Sequence, residues 1–442
     1  MKRLPRLLST ATLTALVVLS AQAQINNNPP GGSGPGRGRG PGVEASVVTA
    51  ARSPEVNANG TITFRLQAPN AKTVRVFTDF PKLGEVPVNG SAGFDMTKDD
   101  KGVWSYTSPK LAPSYYQYWF VMDGSSMPDP QNTFVRPASG VYKSVVALPG
   151  KDAEWMMFRD VPHGDLIEHH YFNAENKTAR RVVIYTPPDY RTSGKSYPVL
   201  YLLHGANDYE RGWTQTGMAN TIMDNLIDEG KAVPAIIVMP FGHDTTGSTG
   251  KLPEVRALQA SLGYTPPPGR GGFGAGGGAR GGAVAAGATA APATAASTTP
   301  LPPSYMEKDL LGLVIPYVEK EFRVIKNKNA RAIMGYSMGG GHSTTIGFGH
   351  PEIFSYVGGF SGYAQGAANP LLADPAKANK DYKIIFFGAG TEDNAVNGGR
   401  TLHQTFTEKG VKHIWSEDPG YGHDYQIWRI YLHTLLQKTF RD

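Results

Sequence analysis

Beyond residue 160 the sequence alternates between two hydrophobic rhythms, and no other feature narrows the fold as far. Short apolar runs stand at 181–185 (RVVIY), 198–203 (PVLYLL), 235–239 (AIIVM), 332–334 (AIM), 383–387 (KIIFF) and 413–416 (HIWS). Runs of this length, rich in β-branched and aromatic residues, read as buried strands. Between them apolar residues recur at helical spacing. At 219–229, Ile222, Met223, Leu226 and Ile227 share one face and Gly230 stops the helix. At 306–322 the stripe is Leu310, Leu311, Val314, Tyr317 and Val318, and a closing helix is expected at 425–438. Strand and helix in alternation predict a mostly parallel sheet covered by helices on both faces, spanning 161–442, with functional groups at the carboxyl ends of its strands.

The segment 43–148 has a different rhythm. Runs at 61–66 (TITFRL), 73–77 (TVRVF), 103–106 (VWSY) and 115–122 (YYQYWFVM) are separated by Pro, Gly, Asn and Asp, with no helical period. Such spacing predicts an immunoglobulin-like β-sandwich, joined to the α/β region by a connector at 149–160. Trp104 and Trp119 are candidate sugar platforms, since aromatic faces stack on pyranose rings; both are read as core residues in preference.

Three stretches stand outside these folds. Residues 1–23 read as a cleavable secretory signal, with Lys2, Arg3 and Arg6 before an apolar run and Ala21-Gln22-Ala23 before Gln24. The Gly/Pro tract 24–42 reads as a flexible linker, and the Gly/Ala tract 266–303 as a surface insertion within the α/β region. All three lack acids, and they hold Lys2, Arg3, Arg6, Arg37, Arg39, Arg270 and Arg280, which accounts for the formal net charge of +6. The remainder is close to neutral, so the basic balance gives no argument for nucleic acid. With 40% hydrophobic and 18% charged residues the chain is not disordered as a whole, and with 0 cysteines it has no disulfide, thiolate zinc site or thiol nucleophile. No second segment is long and apolar enough to span a bilayer. No cluster has metal-ligand spacing: the adjacent His169 and His170 point to opposite sides of any regular strand and read as a surface pair. No cofactor is expected.

One pentapeptide carries chemistry: Gly335-Tyr336-Ser337-Met338-Gly339, followed by Gly340 and Gly341. It sits between the apolar run 332–334 and a helix-compatible stretch, the context in which a serine occupies a tight strand-to-helix turn. A serine hydroxyl needs a base to take its proton, and the base needs a carboxylate to orient it. On such a sheet they follow in the order serine, acid, histidine. Beyond Ser337 the histidines are His350, His403, His413, His423 and His433. His423, in the loop Gly422-His423-Asp424 before the last helix, is the preferred base. Asp393, just after KIIFF, is the preferred acid, with Glu392 its rival and Asp424 a neighbour of the site. Oxyanion donors are expected from the Met338 N–H and from the loop His204-Gly205-Ala206-Asn207-Asp208 after PVLYLL. His204, Asn207 and Trp213 are candidate substrate contacts, although His204 is read first as a brace for its turn.

The same residues carry two resemblances. Phe64-Arg65-Leu66-Gln67-Ala68-Pro69-Asn70-Ala71, Gly102-Val103-Trp104, Asp123-Gly124 and Asp129-Pro130 resemble the early-set immunoglobulin-like domain, best known as carbohydrate-binding module family 48. Tyr185-Thr186-Pro187-Pro188, Pro198-Val199-Leu200-Tyr201-Leu202-Leu203-His204-Gly205, Trp213, Val238-Met239-Pro240, the Ser337 pentapeptide, Phe360-Ser361-Gly362, Gly390-Thr391-Glu392-Asp393 and Gly422-His423-Asp424 with Trp428 resemble the esterase D group of α/β-hydrolases. That group includes carbohydrate esterase family 1, enterochelin esterases and mycolyltransferases. The resemblance implies Ser337 as nucleophile, Asp393 as acid, His423 as base, and the Met338 and Ala206 N–H groups as oxyanion donors. It departs at HGAND, where the group usually has a run of glycines. It implies a secreted serine esterase acting on acylated plant polysaccharide, with a feruloyl ester of arabinoxylan as leading substrate and possible glycan binding by the sandwich. Alternatives are an acetyl-xylan or general carboxylesterase, an enterochelin-type siderophore esterase and, from another class, a glycan-binding protein with a vestigial hydrolase domain.

Overall fold

Three sheets are formed among the residues that the computed structural model describes, namely 52–80, 92–138, 141–173, 178–206, 208–243, 304–363 and 368–441. The expected signal, the linker and the 266–303 tract lie outside them. The amino-terminal strands are β1 (Glu55–Val56), β2 (Ile62–Gln67), β3 (Val74–Thr78), β4 (Ala92–Asp95), β5 (Thr97–Lys98), β6 (Val103–Thr107), β7 (Ser114–Met122), β8 (Ser125–Met127), β9 (Val135–Ala138) and β10 (Val141–Leu148). They pair antiparallel in two sheets, β1-β2-β6-β5 and β4-β3-β7-β10-β9 with β8 on β7. Period-2 alternation decides what each face does. Tyr116, Tyr118 and Phe120 of β7 turn inward onto Ile62, Phe64, Leu66 and Val76, which makes the sandwich core.

Trp104 belongs to that core, 8% exposed with its indole N–H donating to the Ala68 carbonyl at 2.9 Å. Trp119 corrects the expectation. It lies on the opposite face of β7, partly exposed, stacked on Phe77 at 5.4 Å with the Lys143 ammonium 4.5 Å from its ring centroid.

The third sheet runs β11 (Asp165–Asn173), β12 (Thr178–Thr186), β14 (Ile236–Pro240), β13 (Val199–Leu203), β15 (Arg331–Tyr336), β16 (Tyr356–Phe360), β17 (Ile384–Gly390) and β18 (Ile414–Asp418). The strands β14 to β18 are parallel, and β12 and β11 are added antiparallel at one edge. Its two faces carry separate apolar cores under the helices. This is an α/β-hydrolase sheet behind an immunoglobulin-like sandwich. Two strands were not anticipated. β11 (DLIEHHYFN) is too polar to read as buried, because it is an edge. β16 (YVGGF) has two glycines, and a Cβ on Gly359 would stand 2.7 Å from the Gly362 carbonyl oxygen, so small residues are needed there for close packing. The helix expected at 306–322 is composite, Tyr305–Asp309 and Ile315–Glu321 about a π-helical turn at Leu310–Val314. His169 stacks on Tyr317 at 3.9 Å and His170 bonds Glu168 at 2.9 Å, so the two do go separate ways. Among the described residues no helix is long and apolar enough to cross a membrane.

Sandwich and sheet cluster in one compact unit, Ala50–Asp442. Tyr115 and Val145, on the outer face of the sandwich, join the same core as Ile427, Trp428, Tyr431 and Leu435 of the last helix, Tyr425–Leu436. Polar contacts fix the seam: Gln426 Nε2 and Arg429 Nη2 donate to the Tyr115 carbonyl at 3.1 and 3.0 Å.

Candidate active site

Ser337 follows β15 and precedes the helix Met338–Gly349, with φ 54° and ψ −120°. A non-glycine residue at positive φ stores strain, and its neighbours hold it there. The Ser337 N–H donates to the Phe360 carbonyl at 2.8 Å. The flanking glycines permit the close crossing: a Cβ on Gly339 would stand 2.5 Å from the Leu203 carbonyl oxygen, and one on Gly335 2.6 Å from the Gly339 backbone. Gly362 presses on the turn from the other side, where a Cβ would lie 2.0 Å from the Ser337 carbonyl oxygen.

Asp393, 3% exposed, sits three residues past the end of β17, and its Oδ1 accepts from the Ala395 N–H at 2.8 Å. His423 Nδ1 lies 3.0 and 3.2 Å from the two Asp393 oxygens. An Nδ1–H facing a carboxylate leaves Nε2 as the acceptor. Glu392, the rival acid, is exposed. The other late histidines are engaged elsewhere: His350 with Glu307 and Glu352, His403 with His413, and His433 against the Trp155 ring.

Ser337 and His423 make no mutual hydrogen bond in this structure. Trp428 spans between their segments instead, stacked on Tyr336 at 3.9 Å, edge-on to His423 at 5.1 Å and donating its indole N–H to Ser361 Oγ at 2.8 Å. Asp424 caps the last helix through the Gln426 N–H at 2.8 Å. Burial, with Asp79 adding to it, pushes its carboxyl up to about 6.

The loop after β13 runs past the serine, since a Cβ on Gly205 would stand 3.2 Å from Ser337 Cβ. Ala206 is exposed there; Asn207 lies outside the described residues. Of the candidate substrate contacts, His204 takes the brace role expected of it first, and Trp213 is corrected. His204 is 2% exposed, its Nδ1 2.8 Å from the Gly205 carbonyl and its Nε2 accepting from the Gly242 N–H at 2.8 Å. Burial pushes its imidazole down to about 3, so it is a neutral brace. Trp213 is fully buried and donates its indole N–H to the Leu203 carbonyl at 3.0 Å, beneath the site. Among the described residues no group of three or more His, Asp or Glu could hold a metal ion.

The family model Esterase matches residues 174–259 and 280–438, more than half of the chain. The chain belongs to the Esterase family. Residues 50–138 of this esterase-family chain match a second model, carbohydrate-binding module 48 (isoamylase N-terminal domain). A curated relative, the endo-1,4-beta-xylanase/feruloyl esterase of Xylanibacter ruminicola, is 28% identical over 396 residues, which are 88% of this chain and 46% of that protein. An esterase of Mycobacterium tuberculosis is 25% identical over 223 residues, 50% of this chain and 35% of its own. The chain thus spans less than half the length of these relatives. The solved enterochelin esterase of Shigella flexneri shares the fold, with 17% identity and a TM-score of 0.55 over 86% of this chain and 92% of that one.

Sequence reasoning missed a further set of residues in this esterase-family site. Asp208 is 4% exposed, and its Oδ2 accepts from the hydroxyls of Tyr336 and Tyr425 at 2.7 and 2.6 Å. Arg136, from β9 of the sandwich, lies 3.2 Å from the same oxygen. Asp208 stood in HGAND as a departure from the glycine run; nothing local marked Arg136 as its partner.

Proposed function

We propose that this chain is a secreted serine esterase that releases acyl groups, feruloyl foremost, from plant polysaccharide such as arabinoxylan. The observation that carries the reading is His423 held by Asp393 at 3.0 Å, on a loop linked through Trp428 to a serine at positive φ. Family membership, the match to a carbohydrate-binding module and the relative described as a xylanase/feruloyl esterase support it.

In this reading Ser337 Oγ attacks the ester carbonyl while His423 Nε2 takes its proton. The Met338 N–H and Ala206 N–H receive the oxyanion. The tetrahedral intermediate expels the sugar alkoxide, which takes the proton back from His423. Water then attacks the acyl-enzyme, giving its proton to His423, and the second tetrahedral intermediate breaks its bond to Ser337 Oγ, which takes that proton back as the carboxylic acid leaves. Asp393 keeps the imidazole in the required tautomer and balances the imidazolium. In the sandwich the partly exposed Trp119 is one candidate to meet a pyranose ring, beside the more exposed Tyr142 (48%) and Phe134 (36%).

The test is turnover of feruloyl, acetyl and short-chain aryl esters by the full chain and by Ser337→Ala. The feruloyl ester is expected to be preferred, and Ser337→Ala to lose about four orders of magnitude or more in kcat. Unchanged turnover in that variant overturns the mechanism, and preference for acetyl esters overturns the substrate. Export is tested by sequencing the amino terminus of the mature protein, expected at Gln24.

A further inference from the structure

Three segments carry the proposed chemistry, and each sends a side chain to one buried oxygen. Asp208 lies two residues beyond Ala206, Tyr336 immediately precedes Ser337, and Tyr425 lies two residues beyond His423. The two tyrosine hydroxyls, 2.8 Å from each other, both donate to Asp208 Oδ2. Asp208 Oδ1 accepts from the Tyr209 N–H at 2.9 Å, and the Asp208 N–H closes the oxyanion-loop turn on the Gly205 carbonyl at 3.2 Å. A carboxylate among aromatic rings is costly to bury unless a cation pairs with it. That cation comes from the other fold. Arg136 Nη1 lies 3.2 Å from Asp208 Oδ2 and donates to Thr216 Oγ1 at 2.9 Å, while its Nε donates to the Pro137 carbonyl on its own strand at 3.1 Å. Arg136 is itself 4% exposed.

We propose that Arg136 is a positioning residue through which the β-sandwich holds nucleophile, base and oxyanion loop in register, so that the amino-terminal fold is a working part of the esterase. The inference rests on the esterase reading above. Without the guanidinium, Asp208 is an unpaired buried charge; it must take up a proton or draw in water, and either change releases the hydroxyls of Tyr336 and Tyr425. A displacement of about 1 Å in a catalytic group costs on the order of 100-fold in rate. The titratable groups facing Asp208 are Arg136, Tyr336, Tyr425, His204, at its backbone carbonyl His243 and, acting through space without a hydrogen bond, Lys143 of β10.

The experiment uses the full chain and a fluorophosphonate, which phosphonylates an activated serine with loss of fluoride and needs no knowledge of the acyl group. Rates of Ser337 labelling are compared across pH for the wild type, Arg136→Lys and Arg136→Met, at a temperature where circular dichroism shows each to be folded. Arg136→Met is expected to label about 10- to 100-fold more slowly, with a new acidic limb along which the rate falls further as Asp208 takes up a proton and lets the two tyrosine hydroxyls go. Arg136→Lys, which keeps the charge and loses the fork, is expected to recover part of the rate; should the Met variant not fold, this variant carries the test alone. Labelling at the wild-type rate and with the wild-type pH profile, with only a lower melting temperature, overturns the proposal and leaves the esterase reading standing. A wild type that is not labelled at Ser337 overturns both.

Discussion

Gly362 shows how little room the proposed nucleophile has. Its hydrogen occupies space that a methyl group would contest with the Ser337 carbonyl oxygen at 2.0 Å, and the obstacle is backbone, which cannot swing aside. Gly362→Ala is therefore expected to move the turn itself and to reduce ester turnover by about 100-fold. Steady-state kinetics beside a melting curve check this; full activity would mean the turn relaxes at no cost. His204 teaches the converse. As a histidine close to a candidate serine it invites a chemical role, yet both ring nitrogens are consumed by the Gly205 carbonyl and the Gly242 N–H. Its work is to pin the loop after β13 to the residues that follow β14.

The last helix, Tyr425–Leu436, is the element on which both folds converge, and its cap is a compromise. Asp424 accepts the Gln426 N–H, but it is half-buried close to Asp79, and desolvation followed by that neighbour raises its carboxyl to about 6. The folded state then keeps a proton that the unfolded chain gives up near pH 4. Stability is lost as pH rises through the window from about 4 to about 6, by roughly 2–3 kcal/mol in full. Asn caps a helix as well as Asp, so Asp424→Asn is expected to melt higher than the wild type at pH 7.5 and alike at pH 4. An equal difference at both pH values would refute the assignment. Elements of this kind also mark the limit of what the sequence discloses. Most strands of the large sheet, the final helix, the serine on its strand-to-helix turn and the pairing of His423 with Asp393 were legible because periodicity and local turns encode them. Asp393 could be preferred to Glu392 from its place after a strand. The edge strand β11 was not legible, because it carries no buried stripe on both faces. Asp208 and Arg136 were not, because what joins them is a contact between residues 72 apart in sequence and in different folds. Trp119 was misassigned because alternation along YYQYWFVM tells which residues share a face and not which face is inside.

At the scale of the molecule, the sandwich and the hydrolase sheet behave as one body. Tyr115 and Val145 sit in the hydrolase core, and Arg136 neutralises a buried hydrolase carboxylate. Calorimetry of the full chain is expected to give one cooperative transition. A fragment beginning at residue 161 is expected to be insoluble or unfolded, since it bares the face that Tyr115 and Val145 cover and leaves Asp208 without its cation, a loss of about 3–5 kcal/mol for the pair alone. A soluble, active fragment would show the seam to be dispensable. The seam also sets a schedule for synthesis. Ser114 bonds Gln426 across 312 residues, so the outer face of the sandwich is made well before its cover. At about 10 residues per second the ribosome needs roughly half a minute to supply that cover. For that interval a half-built chain carries an uncovered greasy surface, which makes it a client for whatever holds nascent proteins apart.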